Sequence, residues 1–399
     1  MRKQHAAIGL AAVIALVFLT SCKNGQASRG GEQSMLSPAP NSPIAIAGGA
    51  GNVAVGDMDQ DGKLDLVVAS TQVPSISVLL GQGDGQFRAA ALKTITVSET
   101  PGEMELGDLN GDGKLDVAIT SHDSYGVTVL LGDGKGGLTR ATNSPIVMKD
   151  GKHPHTHGLG VGDLNGDRKL DLVTVNNADN DVSVAFGDGS GGFTRAPGSP
   201  FAVGPSPYPL ALGDVNNDGR IDIVATSSAT GPQRAQQLSS SFALTLLLNN
   251  GRGGFQASQL PLRTGQPWFV AVADVNGDRK PDLVATHHEQ SKLSVLLGDG
   301  QGRFTEARRS PVDLGHNAWQ LVLSDLNRDG RPDMIAADGN GFRFMLGDGS
   351  GGFKPAPQSP FATSKGTWRM AVADVNRDGK NDVVTSSGET NTVSVLLGT

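Results

Sequence analysis

The chain has one cysteine, two tyrosines and three tryptophans in 399 residues. A single thiol excludes an intramolecular disulfide framework. The formal charge is −7 and the basic residues form no stripe, which argues against a nucleic-acid partner. Beyond residue 21 no helical periodicity of useful length is present. No nucleophile motif, phosphate-cradling glycine loop or zinc-protease motif occurs, so no catalytic residue is assigned. Glycine, by contrast, is abundant at 55 residues, and 37% of the chain is hydrophobic, enough to bury a core.

One pattern dominates what is there. Asp-x-Asp/Asn-x-Asp-x-x-x-Asp begins at Asp57, Asp108, Asp163, Asp214, Asp274, Asp325 and Asp374. The steps between starts are 51, 55, 51, 60, 51 and 49 residues. A period near 50 means one array of small units rather than several separate cores. Around each copy lie four short runs bounded by Gly and Asp clusters, which are strand and turn signals. Examples are Val53 to Gly56 before the loop, Leu64 to Ala69 after it, Ser77 to Leu80 next, and Ser199 to Val203 as a fourth segment. The expected fold is all-β: a seven-bladed β-propeller of four-stranded antiparallel blades.

Side chains alternate faces along a strand. Two and four residues before each loop they are bulky, as at Val55, Leu106 and Leu212, or Val53 and Met370. One and three before, they are mostly Gly or Ala. Each inner strand therefore offers a bulky face to one neighbouring blade and a smooth face to the other. The last repeat stops after its third strand at Gly398, while Ser42 to Ile46 looks like an unmatched fourth strand. The N-terminal strand is expected to close the ring and remove its sheet edges. The polar stretch Ala229 to Ser241 reads as a surface loop.

Alternating oxygen ligands with a distal carboxylate suit Ca²⁺, and Mg²⁺ fits less well because it demands tighter geometry. No Cys or His accompanies the pattern, against zinc or copper. The expected ligands, for up to seven Ca²⁺, are Asp57, Asp59, Asp61 and Asp65; Asp108, Asn110, Asp112 and Asp116; Asp163, Asn165, Asp167 and Asp171; Asp214, Asn216, Asp218 and Asp222; Asp274, Asn276, Asp278 and Asp282; Asp325, Asn327, Asp329 and Asp333; and Asp374, Asn376, Asp378 and Asp382. Arg168 and Arg279 replace a glycine found in the other five loops, which predicts weaker copies three and five.

The loops with their following strands, for example Gly107 to Val117, resemble FG-GAP or VCBS-type repeats. These are similar to the calcium-bearing blades of integrin α-chain propellers and of some propeller lectins. The resemblance covers about residues 42 to 399 and implies Ca²⁺ in the hairpin joining the first two strands of each blade. It implies no single activity, because the family hosts adhesion proteins, lectins and a few polysaccharide-degrading enzymes.

The N-terminus reads as a processing signal. Arg2 and Lys3 precede the apolar run Ala6 to Phe18. Leu19-Thr20-Ser21-Cys22 resembles the lipobox of bacterial lipoproteins, with Cys22 lipidated. Residues 1–21 are then a signal peptide, 22–41 a flexible Ser/Gly/Pro-rich tether and 42–399 the propeller. The expected location is the cell envelope, lipid-anchored after secretion, in the outer membrane if the host is Gram-negative; membrane contact is by the anchor only.

Six residues before the loops stand Gly51, Gly102, His157, Tyr208, Trp268, Trp319 and Trp368. All three Trp fall at this one repeat position, on the face opposite the cation loops. His122, His153, His155, His287, His288, Glu289, His316 and Asp338 are expected on the same face. Such an arc suits sugars, which stack on rings and hydrogen-bond at their edges; packing between blades explains it equally. The expected ligand contacts are His157, Tyr208, Trp268, Trp319, Trp368, His122, His287 and His288. In an extended segment His153, His155 and His157 point one way and form a candidate transition-metal set. Glu105 stands where other blades carry Ala, Gly or Val.

The reading that results is a monomeric, non-catalytic binding or adhesion propeller whose partner is a polysaccharide or a protein surface. The alternatives are a polysaccharide-acting lyase or hydrolase using Glu105, Glu289 or the histidines, and a scaffold of an envelope complex.

Overall fold

The computed structural model describes residues 35–70, 72–90, 95–97, 100–227, 243–287 and 290–399. Cys22, His288, Glu289 and the stretch from Ala229 to Ser241 lie outside the described residues. Among the described residues there is no α-helix. The strands form antiparallel sheets, five of four or five strands and one of nine. The nine-stranded sheet is two units joined through Phe361–Ala373. That strand starts as an outer piece against Phe342 and ends as the inner strand against Asp382–Ser387.

Each unit begins with an innermost strand. These are Asn52–Gly56, Pro101–Gly107, Thr156–Gly162, Leu210–Gly213, Phe269–Ala273, Leu321–Ser324 and Phe361–Ala373. They contact one another in chain order, and the last contacts the first. The array is therefore a closed, propeller-like ring around a central channel. The channel has a volume of about 320 Å³ and is lined by these strands.

Neighbouring units fit by size, as the alternation predicts. A Cβ placed on Gly160 would lie 2.9 Å from Leu212 Cδ1 of the next unit, and one on Gly213 3.0 Å from Val272 Cγ1. The bulky positions Leu106, Val161, Leu212 and Leu323 are buried against these smooth faces. Burying a side chain of this size contributes about 1.5–3 kcal/mol, and a branched chain at Gly160 would force two units apart.

The fourth strand of most units is broken into two short pieces. Phe193–Arg195 and Phe201–Ala202 both pair with Asp181–Gly187, with Ser199-Pro200 between them. The Ser199 hydroxyl accepts a hydrogen bond from Val184 N at 2.9 Å. Ser144, Ser310 and Ser359 do the same for Val129, Val295 and Phe344 in their units. Ser42 does it for Val395, 353 residues away. The N-terminal segment thus occupies the fourth-strand place of the last unit. It does so from Leu36, not from Ser42: Leu36–Pro38 pairs with Leu396 to Gly398, and Leu36 is buried. The expected tether of 22–41 is therefore too long at its C-terminal end, because Leu36 and Ala39 have apolar partners inside the ring.

A polar clasp joins the second and third units. Lys149 Nζ donates to Asp179 Oδ2 at 2.9 Å and to Asp181 Oδ2 at 2.6 Å, and Tyr125 donates its hydroxyl proton to Asp179. The lysine side chain is only 10% exposed. Removing one partner of a buried ion pair strands the others in a poor solvent. Lys149→Ala is expected to cost about 3 kcal/mol in denaturant unfolding. A cost below about 0.5 kcal/mol would place the clasp with ordinary surface pairs.

Candidate functional site: cation loops and an aromatic mouth

The first, third and fifth side chains of the first acidic loop face one another, and the fifth residue's N–H bonds to the first and third side chains in all seven. In the first loop the carboxylate oxygens of Asp57, Asp59 and Asp61 lie within 4.8 Å of each other. The backbone is bent by hydrogen bonds to these same groups. Asp57 accepts from Asp61 N at 3.1 Å and Gly62 N at 3.0 Å, and Asp59 accepts from Asp61 N at 3.2 Å. The sixth residue takes a left-handed conformation in every loop, including Arg168 at φ 67° and Arg279 at φ 65°. Arg168 N reaches Asp163 Oδ2 at 2.7 Å, just as the glycines do elsewhere. The two arginine loops therefore keep the common shape at the cost of a strained backbone. The set is all oxygen and fits a hard cation.

The ninth aspartate plays a different part from the other three. Asp65, Asp116, Asp171, Asp222, Asp282, Asp333 and Asp382 are completely buried. Asp116 Oδ2 accepts from Leu109 N at 2.8 Å and Oδ1 from Gly132 N at 2.8 Å. The other six make the same pair of bonds. Each carboxylate thus brackets the start of its loop to the end of the third strand. The strand-end residue is glycine in six units, because a Cβ at Gly132 would come within 2.1 Å of Leu115 O. Asn249 holds that place in the fourth unit and donates its amide to Ile221 O at 2.9 Å. Burial pushes the Asp65, Asp116, Asp171, Asp222, Asp282 and Asp333 carboxyls up to about 6, against the pull of the two N–H groups.

A basic residue escaped the sequence reading at the seventh position of every loop: Lys63, Lys114, Lys169, Arg220, Lys280, Arg331 and Lys380. Lys63 Nζ lies 2.6 Å from Asp61 Oδ2, and Lys114 Nζ lies 3.0 Å from Asp112 Oδ2. The Lys63 hydrogen bond holds the Asp61 carboxyl below its ordinary value. Asp59 moves the other way, raised by burial and by the Asp61 charge. The basic position is regular in the repeat but supplies no oxygen donor, so the ligand pattern does not include it.

At the opposite end of the channel the rings of the five inner strands touch in sequence. Ring centroids are 3.9 Å apart for His157–Tyr208, 4.4 Å for Tyr208–Trp268, 5.7 Å for Trp268–Trp319 and 4.4 Å for Trp319–Trp368. The arc is continuous and ends where Gly51 and Gly102 carry no side chain. His157 is buried, the next three rings are half-buried, and Trp368 is 42% exposed. Bulges at Pro101/Met104, His157/Leu159 and Thr367/Arg369 shift the strand register just there. At His157 and Trp368 they break the alternation that would otherwise tie the ring to the inter-unit core, whereas Trp319 still packs against a core cluster. Beside the arc Arg369 forms an ion pair with Glu103, which also accepts from Asn52 Nδ2 at 3.1 Å. Neither Glu103 nor Arg369 was signalled, because their repeat position is Gly158, Pro209, Phe269 and Gln320 elsewhere.

The remaining expected site residues separate. His122, His155 and His157 come together. His153 is exposed and is not part of that group. His287 is 1% exposed and shares a hydrogen bond of 2.8 Å with Ser294 Oγ. It is thus held within its own sheet rather than offered to a ligand, and burial pushes it down to about 4. His316 Nδ1 donates to Asn317 O at 2.8 Å and stands 3.9 Å from Asp338. Glu105 lines the channel, where burial and then the Glu103 charge push its carboxyl up to about 8.

FG-GAP-like repeats match residues 57–119, 108–174, 163–225, 274–336 and 325–385, overlapping copies that together span more than half of the chain. The chain belongs to the FG-GAP-like repeat family. A T-cell immunomodulatory protein homolog of Plasmodium yoelii yoelii is 31% identical over 146 residues. That match takes in 32% of this chain and 19% of the relative's length, so the chain spans about a fifth of it. Among solved structures, BBS1N in complex with ARL6DN aligns with a TM-score of 0.61 at 13% identity, over 92% of this chain and 98% of that one. An Agrocybe aegerita lectin described as recognising non-reducing terminal N-acetylglucosamine aligns with a TM-score of 0.53 at 20% identity, over 78% and 80%. A streptogramin B lyase aligns with a TM-score of 0.55 at 15% identity, over 91% and 97%. At these identities the structural likenesses establish the propeller fold of this FG-GAP-like repeat protein and nothing finer.

Proposed function

We propose that this protein is a non-catalytic binding or adhesion propeller of the bacterial cell envelope, tethered by a lipid on Cys22, stabilised by Ca²⁺ in its acidic loops, with a polysaccharide as its ligand. The observation that carries the ligand is the aromatic arc. A run of five touching rings ends in Trp368, the most exposed of them, beside the Glu103–Arg369 pair. An open indole next to fixed polar groups offers a sugar both a stacking surface and hydrogen bonds. The lectin of similar fold is described as recognising a sugar, non-reducing terminal N-acetylglucosamine, which agrees with this reading. Ca²⁺, when bound, would neutralise the first, third and fifth side chains of each loop and stiffen its hairpin.

The test is a polysaccharide panel against the Ca²⁺-loaded protein. Trp368→Ala is expected to weaken binding about tenfold or more, the scale of a lost stacking contact, with the melting temperature unchanged. Full retention of binding by that variant sinks the assignment of the face. Glu105, which lines the channel with its carboxyl pushed up to about 8 by burial and the Glu103 charge, is the residue behind the enzymatic alternative. Turnover of a bound polysaccharide, lost in Glu105→Gln, would establish that alternative.

A further inference from the structure

The three histidines at the buried end of the arc do not behave as part of a stacking surface. His122 follows the Asp116–Ser121 strand of one unit, and His155 and His157 stand at the start of Thr156–Gly162 in the next. Their metal-ligating nitrogens lie within 4.8 Å of one another. The ring centroids are 4.4, 4.8 and 4.6 Å apart, with planes tilted by 58°, 78° and 56°. No pair is stacked. Inclined rings around a shared space can turn their nitrogens toward one ion, as a tetrahedral centre requires of three imidazoles.

Two further observations point to a ligand. His157 is 8% exposed and its Nε2 is buried without a hydrogen-bond partner. A buried nitrogen without a partner is unfavourable unless something binds it. His122 Nδ1 lies 2.7 Å from Asp123 Oδ1. That contact fixes the tautomer and leaves Nε2 free as a donor, the usual arrangement of a carboxylate behind a metal-bound histidine.

The backbone holds the group in place. Thr156 N donates to His122 O at 2.9 Å, and Asn177 N donates to His155 O at 2.8 Å. Gly158 at φ 58° forms the bulge after His157, where a Cβ would lie 3.2 Å from Tyr208 O. Tyr208 covers the other side of the His157 ring.

We propose that His122, His155 and His157 form a binding site for one divalent transition-metal ion of the Zn²⁺ class, distinct from the oxygen-lined acidic loops. Imidazole donors select Zn²⁺, Co²⁺ or Ni²⁺ over Ca²⁺, and carboxylate loops do the reverse. Three protein ligands leave one coordination position for water or a ligand atom. Nitrogens around Zn²⁺ sit about 3.3 Å apart, so the rings turn inward by an ångström or so on binding.

The experiment is calorimetric titration of Zn²⁺ into the full protein held in excess Ca²⁺, paired with the absorption spectrum of the Co²⁺ form. One equivalent of Zn²⁺ should bind, and Co²⁺ should give the intense visible bands of a tetrahedral site. The double variant His122→Ala/His155→Ala should weaken Zn²⁺ binding about a hundredfold. His153→Ala should bind as the parent does, which separates this site from the consecutive His153, His155 and His157 set. Absence of a stoichiometric Zn²⁺ event in the parent overturns the proposal, as does binding that survives the double variant. Should the double variant unfold, the parent's Co²⁺ spectrum decides: octahedral, weak bands overturn the site.

Discussion

Asp116→Ala is expected to destabilise the protein by about 3 kcal/mol whether Ca²⁺ or a chelator is present. The reason lies in where the carboxylate points its oxygens. Both accept backbone N–H groups, from Leu109 and Gly132, in a fully buried position. Truncation leaves two buried donors without acceptors, at about 1–3 kcal/mol each, and removing a poorly solvated charge offsets part of that. Asp116→Asn, which keeps one acceptor oxygen, should fall between. Asp112→Ala is the contrast. Its carboxylate is exposed and meets Lys114, so the variant should match the parent within about 0.5 kcal/mol in chelator and differ only when Ca²⁺ is added. Denaturant unfolding of the three variants under both conditions reads the difference directly. Neutral behaviour of Asp116→Ala in chelator would falsify the bracket.

Chelation itself should lower the melting temperature, on the order of 10 °C at about pH 7.5 and by much less at about pH 5. The buried aspartates set the sign. Burial pushes Asp65, Asp116, Asp171, Asp222, Asp282 and Asp333 up to about 6 in the folded chain, above the ordinary carboxyl value of 3.8. The folded state therefore binds more protons than the unfolded chain between those values. Stability from this source is fully present below about pH 4 and is lost as pH rises through about 6. Without Ca²⁺ the melting temperature should fall across that window. With saturating Ca²⁺ the fall should shrink or vanish, because the ion favours ionised loops. Scanning fluorimetry at about pH 5, 6 and 7.5, with and without chelator, measures both arms. Parallel curves at all three values would leave the loops without a cation.

The acidic loops, the strand order and the size alternation were legible because they repeat. Gly160 against Leu212 follows from period-two alternation alone, and the closing strand follows from a missing fourth segment. What stayed hidden is the part that repeats in geometry but not in residue type. The fourth loop position is left-handed throughout, yet it is filled by Gln60, Gly111, Asn217 or Arg328. The ninth aspartate reads as a cation ligand from spacing, and only its burial and its two N–H partners show the bracket. The histidine group is split across two units, so His122 is 33 residues from His155 and no local motif joins them. Leu36–Pro38 escaped notice because three residues after a Ser- and Gly-rich stretch carry almost no strand signal.

The closing strand also sets the end of the ring at which the chain enters. Leu36 pairs with Gly398, and Gly398 N bonds to Asp382 beside the last acidic loop. The chain therefore enters the ring on the cation-loop side. If Cys22 carries the lipid proposed above, the cation-loop side is the one nearer the anchor. The Trp368 rim and the three histidines would then look outward, toward whatever approaches the cell.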